Sequence, residues 1–289
     1  MTASLKLRSA KSIASLGWSP AGWVLGESLM RNMLAEAVER QPRSPEGGDV
    51  VVSVAAGRPH LNLGRAICAR RSEIRAAHCE NGVMPEAKRR VTVVLFEGFE
   101  LLDVFGPVEL FRIDPSLFDV ELIAPQAGPV RSSQGPEVIA TTAFPDAASP
   151  DIVLVPGGQG TRRLATDPEF LAWLASWAAD ARLVTSVCTG SALLAAAGLL
   201  DGFRATSNKR AFAWASSQGA SVDWVPQARW VEDGNRWTSS GVAAGMDMTA
   251  AIVAAIHGPE VAATLTDAAE LEVHADASWD PYAAKNGLA

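Results

Sequence analysis

The chain has 289 residues, 48% hydrophobic and 20% charged, which suffices for one large packed domain or two small ones. Its net charge of −7 conceals an asymmetry: residues 1–90 hold 14 Lys and Arg against 8 Asp and Glu, whereas residues 91–289 hold 11 against 24. The acidic C-terminal part is a poor candidate for binding nucleic acid, which needs clustered Lys and Arg, and no stretch approaches the run of about 20 apolar residues that spans a bilayer.

The N-terminal text MTASLKLRSAKSIASLGW is basic, but its apolar run is broken by Lys11 and Ser12, which argues against a secretory signal. Leu29, Met33, Leu34 and Val38 fall at helical spacing and predict a helix over about 26–39. The cluster QPRSPEGGD at 41–49 breaks the pattern, and DVVVSVAA at 49–56 reads as a strand without a clear partner. The basic arm reads as a solvated tail, with contact to an anionic partner as the alternative. MPEAKRRVTVVLF at 84–96 resembles a complete start: Met84, a short polar lead, then a buried strand. Residues 1–89 are accordingly read as an extension, poorly ordered or lying upstream of the true start, and residues 90–289 as the folded domain.

From Arg90 the pattern becomes regular. VTVVLFEG (91–98), FDVELIAP (118–125), DIVLVPGG (151–158) and RLVTSV (182–187) are continuous β-rich apolar runs, as expected of strands buried on both faces. Helical segments lie between them at about 103–113, 167–180 and 189–198. In the second, Phe170, Leu171, Leu174 and Trp177 are spaced for one face, behind Asp167 as cap and Pro168 in the first turn. A short strand at 203–206, a helix at about 208–217, a hairpin over Arg229–Ser240 turning at Asp233–Asn235, and helices at about 245–257 and 259–272 complete the chain. Strands alternating with helices predict an α/β fold with a mainly parallel sheet and helices on both faces.

Three segments carry chemistry. In LVTSVCTGSALLAAAGLL (183–200) a β-branched strand runs into Val-Cys-Thr-Gly-Ser and then an Ala/Leu-rich helix. Cys188 thus sits on a strand-to-helix elbow of the kind that projects a nucleophile above a sheet. Gly190 and Ser191 let the helix pack close behind, and its N-terminus is expected to favour the thiolate. A buried structural cysteine is the plain alternative. In IVLVPGGQGTRRL (152–164), Gly157 and Gly158 follow a strand directly, so their N–H groups suit either an oxyanion pocket or a tight turn. In FEGFELLDVFGPVELF (96–111), Asp103 stands in an apolar stretch where a helix begins, as an acid or as a mere cap. The three cysteines, Cys68, Cys79 and Cys188, form no CxxC pair, which disfavours a disulfide scaffold or a zinc cluster and fits a reducing, cytoplasmic setting.

In this order LLDVFGPVELF, DIVLVPGGQG and VTSVCTGSALLAAAGLLDGFRAT, with GVAAGMDM (241–248) and WDPYAAKNGL (279–288), resemble the ThiJ/PfpI superfamily, the class I glutamine amidotransferase-like domain, and within it the isocyanide (isonitrile) hydratase branch. The likeness runs from about Arg90 to the end. It implies a flavodoxin-like three-layer sandwich, an active site at the carboxyl ends of the strands, a homodimer, and a cofactor-free hydro-lyase acting on a small molecule. By the same resemblance Cys188 is the nucleophile and Asp103 its acid/base partner. Thr189 hydrogen-bonds the carboxylate, and the Gly158 and Thr189 N–H groups face the developing negative charge beside Gly157 and Gly190. The product is an N-substituted formamide.

The chain also departs from related patterns. Glutamine amidotransferases and PfpI peptidases place His directly after the cysteine, where this chain has Thr189, and the domain contains only His257 and His274. Cys-His-Glu amide, peptide or glyoxal chemistry is therefore disfavoured. Thr206-Ser207-Asn208 stands where the hydratase pattern has Thr-His, which implies a different pocket. Two other readings fit the resemblance. One is a ligand-sensing domain of the kind found in AraC-type regulators, without the DNA-reading part because the text ends at Ala289. The other is a redox or stress-response protein whose Cys188 is oxidised to a sulfinic acid.

Overall fold

The structure is a computed structural model that describes residues 88–288. The helix expected at 26–39, the strand at 49–56, Cys68, Cys79, Met84 and nearly all of the expected extension lie outside the described residues. Among the described residues no helix is long and apolar enough to cross a membrane.

The four apolar runs become strands, but burial on both faces is complete only in the centre of the sheet: in the run that begins at Phe118, Asp119 is exposed and Val120, Glu121 and Leu122 are half-buried. β1 (Arg89–Val94) is fully buried from Val91 onward, and all four residues of β6 (Ile152–Val155) are buried. β2 (Phe118–Ala124) pairs in parallel with β1, β1 with β6, and β6 with β7 (Leu183–Ser186). The register sets Val91 beside both Val120 and Ile152, and Val155 beside Ser186. The predicted hairpin forms from β10 (Trp230–Asp233) and β11 (Arg236–Ser239), with Gly234 and Asn235 as its two-residue turn. It is not a free-standing hairpin: β11 joins the main sheet in parallel beside β7. With β5 (Thr142–Ala143) at the far edge, the seven-stranded order is β10-β11-β7-β6-β1-β2-β5.

Two small pairs lie outside this sheet; of their four strands only one, the short strand expected at 203–206, was predicted. β3 (Gly128–Arg131) and β4 (Glu137–Ala140) form an antiparallel hairpin, and β8 (Arg204–Ala205) pairs with β9 (Asp223–Trp224). Their two- to four-residue runs are too short to show a period. The helices form two groups. α1 (Leu101–Ile113) packs on α6 (Ala244–His257) and α7 (Pro259–Ala268). The other group is α2 (Thr161–Leu164), α3 (Pro168–Ala178), α4 (Gly190–Ala196) and α5 (Phe212–Ser216), in which α4 touches each of the others. In α3 the Asp167 carboxylate accepts from Phe170 N–H at 3.1 Å, and Phe170, Leu174 and Ala178 form the buried face, so cap and periodicity are as predicted. A last helix, α8 (Pro281–Lys285), is capped by buried Asp280. This mainly parallel sheet with helices on both faces is the flavodoxin-like α/β architecture expected.

The β7–α4 junction depends on one glycine. A Cβ on Gly190 would lie 2.1 Å from the Val155 carbonyl oxygen and 2.9 Å from that of Pro156, both backbone atoms of the neighbouring strand and loop. Gly190→Ala therefore has to push α4 off β6. A loss of about 2 kcal/mol or more is expected, and a thermal melt matching the unsubstituted protein would show that the junction has room to give.

Candidate active site

Cys188 ends β7 and precedes α4, and its backbone is bent into the left-handed region at φ +59°. A side chain held there is uncommon and costs on the order of 1–3 kcal/mol, so surrounding bonds must hold it. They come from both sides of the chain. Cys188 N–H donates to the carbonyls of Ser240 (2.8 Å) and Ser239 (3.2 Å), and Cys188 O accepts from the hydroxyls of Ser207 (3.0 Å) and Ser191 (3.2 Å). The elbow predicted from sequence is present, but its side chain is not projected into solvent: Cys188 is only 7% exposed.

Asp103 is the third residue of α1 and is not its cap; the cap position is Glu100, which makes no side-chain capping bond. The Asp103 side chain is fully buried. Its Oδ2 accepts from Gly157 N–H at 2.8 Å, while Oδ1 is buried without a hydrogen-bond partner. The carboxyl faces the Cys188 thiol. Burial pushes the Asp103 pKa up to about 8; the Gly157 bond opposes this, the nearby Glu100 charge adds to it, and the Cys188 side chain opposes it more weakly. Near neutral pH Asp103 therefore holds a proton. Because Oδ2 is engaged as an acceptor, Oδ1 is the oxygen left to carry it.

The thiol shifts the same way. Burial and then the Asp103 charge push the Cys188 pKa far up; hydrogen bonds from Thr189 N–H and the Asn208 side chain oppose this, and the Glu100 charge adds a further small rise. The expectation that the following helix would favour the thiolate is corrected here. α4 is seven residues long, and removing the sulfur from water outweighs its effect. The resting pair is a neutral thiol beside a neutral acid.

The expected oxyanion pocket is also corrected. Gly157 N–H is committed to Asp103, and Gly158 N–H donates to Thr189 Oγ1 at 3.1 Å. The Thr189 hydroxyl bonds this N–H and the Thr161 hydroxyl (3.2 Å), not the Asp103 carboxylate as the resemblance implied. The Thr189 N–H opposes the rise in the Cys188 pKa, the direction expected of an N–H that faces negative charge there. The glycine pair is a close-packed wall: a Cβ on Gly157 would stand 2.7 Å from Thr189 Oγ1 and 2.9 Å from Asp103 Oδ2. Asp103, Gly157, Gly158, Cys188, Thr189 and Gly190 are thus all at one place, with different hydrogen-bond partners than expected.

Two further residues reach the site. Glu100 acts on both Asp103 and Cys188 through its charge. The i, i+3 spacing of Glu100 and Asp103 was a signal that could have been read. Asn208, in the segment between β8 and α5, lowers the Cys188 pKa; in the sequence it stands out only as a departure from a pattern. The two histidines are elsewhere. His257 packs edge-on against Phe118, at the amino end of β2 and so opposite the carboxyl end where Cys188 lies, and the His274 ring sits by Trp279. Among the described residues no group of three or more His, Cys, Asp and Glu side chains is gathered as a metal site would need. A cleft of about 630 Å³ lined by Phe96, Phe144, Arg163, Phe170 and Trp173 among others contains neither Cys188 nor Asp103.

The chain is similar to several known proteins and solved structures. The isonitrile hydratase of Pseudomonas putida is 37% identical over 174 residues, 60% of this chain and 74% of that protein. The HTH-type transcriptional regulator GbdR of Pseudomonas aeruginosa is 31% identical over 194 residues, 64% of this chain, and the match spans about half of the regulator's length. Among solved structures, a THiJ/PfpI family protein from Pseudomonas syringae superposes with a TM-score of 0.58 at 32% identity, covering 65% of this chain and 76% of that one. A DJ-1 superfamily protein from Salmonella typhimurium gives 0.57 at 25% identity, covering 64% and 99%. The DJ-1/PfpI family profile itself matches residues 89–255, which include the first strand, Asp103, the glycine pair and the Cys188 elbow. By that match, and by the parallel sheet that carries these residues, the chain belongs to the DJ-1/PfpI family.

Proposed function

We propose that the chain is a cofactor-free, cysteine-dependent hydratase that converts a small isocyanide into an N-substituted formamide. The observation that carries this reading is the Cys188–Asp103 pair, two groups buried at one place, and that burial pushes both pKa values up. An isocyanide carbon must receive a nucleophile and a proton at the same atom. Cys188 supplies sulfur and the pair supplies hydrogen, so R–N≡C and the thiol become the thioimidate R–N=CH–S–Cys. Water then adds to that carbon, the nitrogen is protonated, and the C–S bond breaks. The products are R–NH–CHO and the regenerated thiol. Asp103 gives up and recovers a proton in these steps. An uncharged apolar substrate suits a site whose resting groups are uncharged, because neither partner needs to bring water in. The 37% identity to an isonitrile hydratase supports the assignment. Incubation of the purified chain with a simple aryl isocyanide should yield the formamide; substrate recovered intact over many hours would overturn the reading.

The acid role fixes the direction of the pH dependence. Asp103 donates only while protonated, so kcat/KM should hold up to about pH 8 and decline above it. A rate that climbs steadily through pH 9 would mean that thiolate supply, not the acid, governs the reaction.

Assembly is proposed on the same footing. α1 leaves Leu102 and Phe105 exposed, and the β3–β4 hairpin leaves Ile139 exposed. Large apolar side chains left in water on the site-bearing helix suit burial against a second copy. Sedimentation should give a dimer at micromolar concentration, and Phe105→Glu should shift it towards monomer; an unchanged Phe105→Glu dimer would remove α1 from the interface.

The regulator relative favours one second reading, a ligand sensor in which the same pocket binds without turning over. Saturable binding of an isocyanide with no formamide produced would select it. Oxidation of Cys188 as the main activity fits less well, because peroxide attack needs a thiolate and burial keeps the thiol protonated.

A further inference from the structure

The bonds that hold the Cys188 elbow lead, from both sides, to one place. Cys188 N–H donates to the Ser240 carbonyl, and Ser240 N–H donates in turn to the Arg229 carbonyl at 2.8 Å. On the other side, Cys188 O accepts from Ser207 Oγ. The neighbours of Ser207 are tied to the same stretch of chain. Thr206 Oγ1 donates to the Val225 carbonyl at 2.8 Å, and buried Lys209 places its ammonium on Thr206 Oγ1 (2.7 Å) and on the Ala228 carbonyl. Both lines of support for the left-handed residue therefore converge on Ala228 and Arg229.

The Arg229 side chain fixes that place. It is only 11% exposed, and it lies between two buried carboxylates. Nε donates to Asp247 Oδ2 at 2.7 Å, one Nη lies 2.5 Å from the same oxygen, and the other Nη lies 3.9 Å from Asp280 Oδ2. The two acids come from different elements. Asp247 belongs to α6, and its Oδ1 accepts His274 N–H at 2.8 Å. Asp280 caps α8, accepting Tyr282 N–H at 2.8 Å. The main chain repeats the link: Arg229 N–H donates to the Ala277 carbonyl and Asp280 N–H to the Gln227 carbonyl, both at 2.8 Å. An exposed ion pair would add little stiffness here. A buried one opens only by leaving a charge without its partner, so the joint resists opening.

We infer that Arg229 is a positioning residue for the nucleophile: clamped by Asp247 and Asp280, it fixes the Ser240 carbonyl that keeps Cys188 in its left-handed backbone, and so couples the C-terminal segment to the elbow. This role rests on Cys188 being the nucleophile, not on which substrate it attacks. A side chain at φ +59° stays there only while its surroundings over-determine it. With the clamp weakened, the elbow relaxes towards ordinary backbone and uncovers a sulfur that is now buried. Loss of the clamp thus makes Cys188 easier for a general reagent to reach while taking it out of register with Asp103.

The test is alkylation of Cys188 by iodoacetamide at pH 8.5, read by mass spectrometry of the peptide that carries it, across a series of urea concentrations below the unfolding midpoint. Labelling through global unfolding climbs steeply with urea, because much surface is exposed; labelling through local opening of the elbow is nearly flat. Two conservative variants weaken the clamp. Arg229→Lys keeps the charge but not the fork that reaches two carboxylates. Asp280→Asn keeps an oxygen to cap α8 and removes one of the two charges. In both, the flat limb should rise roughly tenfold, the scale of the strain at a left-handed side chain. Leu174→Ala, a core truncation in α3 away from the clamp, should raise only the steep limb. A flat limb unchanged in both clamp variants, a change confined to their steep limb, or an equal rise of the flat limb in Leu174→Ala would overturn the inference and leave Arg229, Asp247 and Asp280 as a structural ion cluster. Because alkylation requires no isocyanide, absence of formamide formation sinks the hydratase reading and leaves this result to stand or fall separately.

Discussion

Asp103→Asn is expected to abolish nearly all turnover and yet make the protein more stable at pH 8 to 9. Loss of a positioned acid/base group lowers rate by about 10²–10⁴-fold. The stability effect follows from linkage. Burial raises the Asp103 pKa from its ordinary 3.8 to about 8, so the native state holds this proton more tightly than the unfolded chain. Its contribution is fully present below about pH 4 and is lost as pH rises through about 8, where the native protein must either keep a proton that water would take or bury a carboxylate. The side chain is fully buried, so solvent does little to relieve the cost. An asparagine has the shape of the protonated acid. It keeps an oxygen for Gly157 N–H and can place its amide where Oδ1 now has no partner. The stability gap between Asp103→Asn and the unsubstituted protein should therefore be small at pH 4 to 5 and widen by a few kcal/mol towards pH 8 to 9. Denaturant melts at a series of pH values measure it. A gap that does not change with pH would mean that Asp103 is ionised in the native state, and the neutral-pair chemistry would be lost with it.

Cys188→Ala should reduce formamide production to the level of the uncatalysed reaction. Removing a covalent nucleophile costs on the order of 10⁴–10⁶ in rate, since no other group can form the intermediate. The substitution removes one buried sulfur and leaves the backbone bonds to Ser240, Ser207 and Ser191 in place, so the fold should persist. In the unsubstituted protein, mass spectrometry of an acid-quenched reaction should find the isocyanide mass on the Cys188 peptide. Residual turnover in Cys188→Ala within tenfold of normal would assign the chemistry elsewhere.

How much of this was legible beforehand depended on the range of the interactions involved. The buried strands, the Asp167 cap and the elbow at Cys188 are written in local text: β-branched runs, a capping residue, and a strand running directly into small residues. The turn of the β10–β11 hairpin was equally local, but its destination was not. That β11 enters the main sheet beside β7 depends on pairing with residues about 50 positions away. The β3–β4 and β8–β9 pairs have too few residues to show any period.

The sequence by itself determined the fold class and pointed to Asp103, Gly157, Gly158 and Cys188 as neighbours, because strand-to-helix junctions carry their residues to the carboxyl edge of a parallel sheet wherever the strands pair; it did not point to Glu100. The tertiary structure alone decided their state. Whether a thiol and a carboxyl are charged depends on how completely other elements cover them, and here burial overrides the helix N-terminus behind Cys188 and pushes the pKa of both groups up. The same holds for the donors. Gly157 and Gly158 looked available as text, but their N–H groups were assigned to Asp103 and Thr189 only when α1 and the β7–α4 elbow packed against them. The segment Thr206–Lys209 is likewise held by contacts that no local pattern places: Thr206 N–H on Thr238 Oγ1, and Lys209 on Thr206 Oγ1.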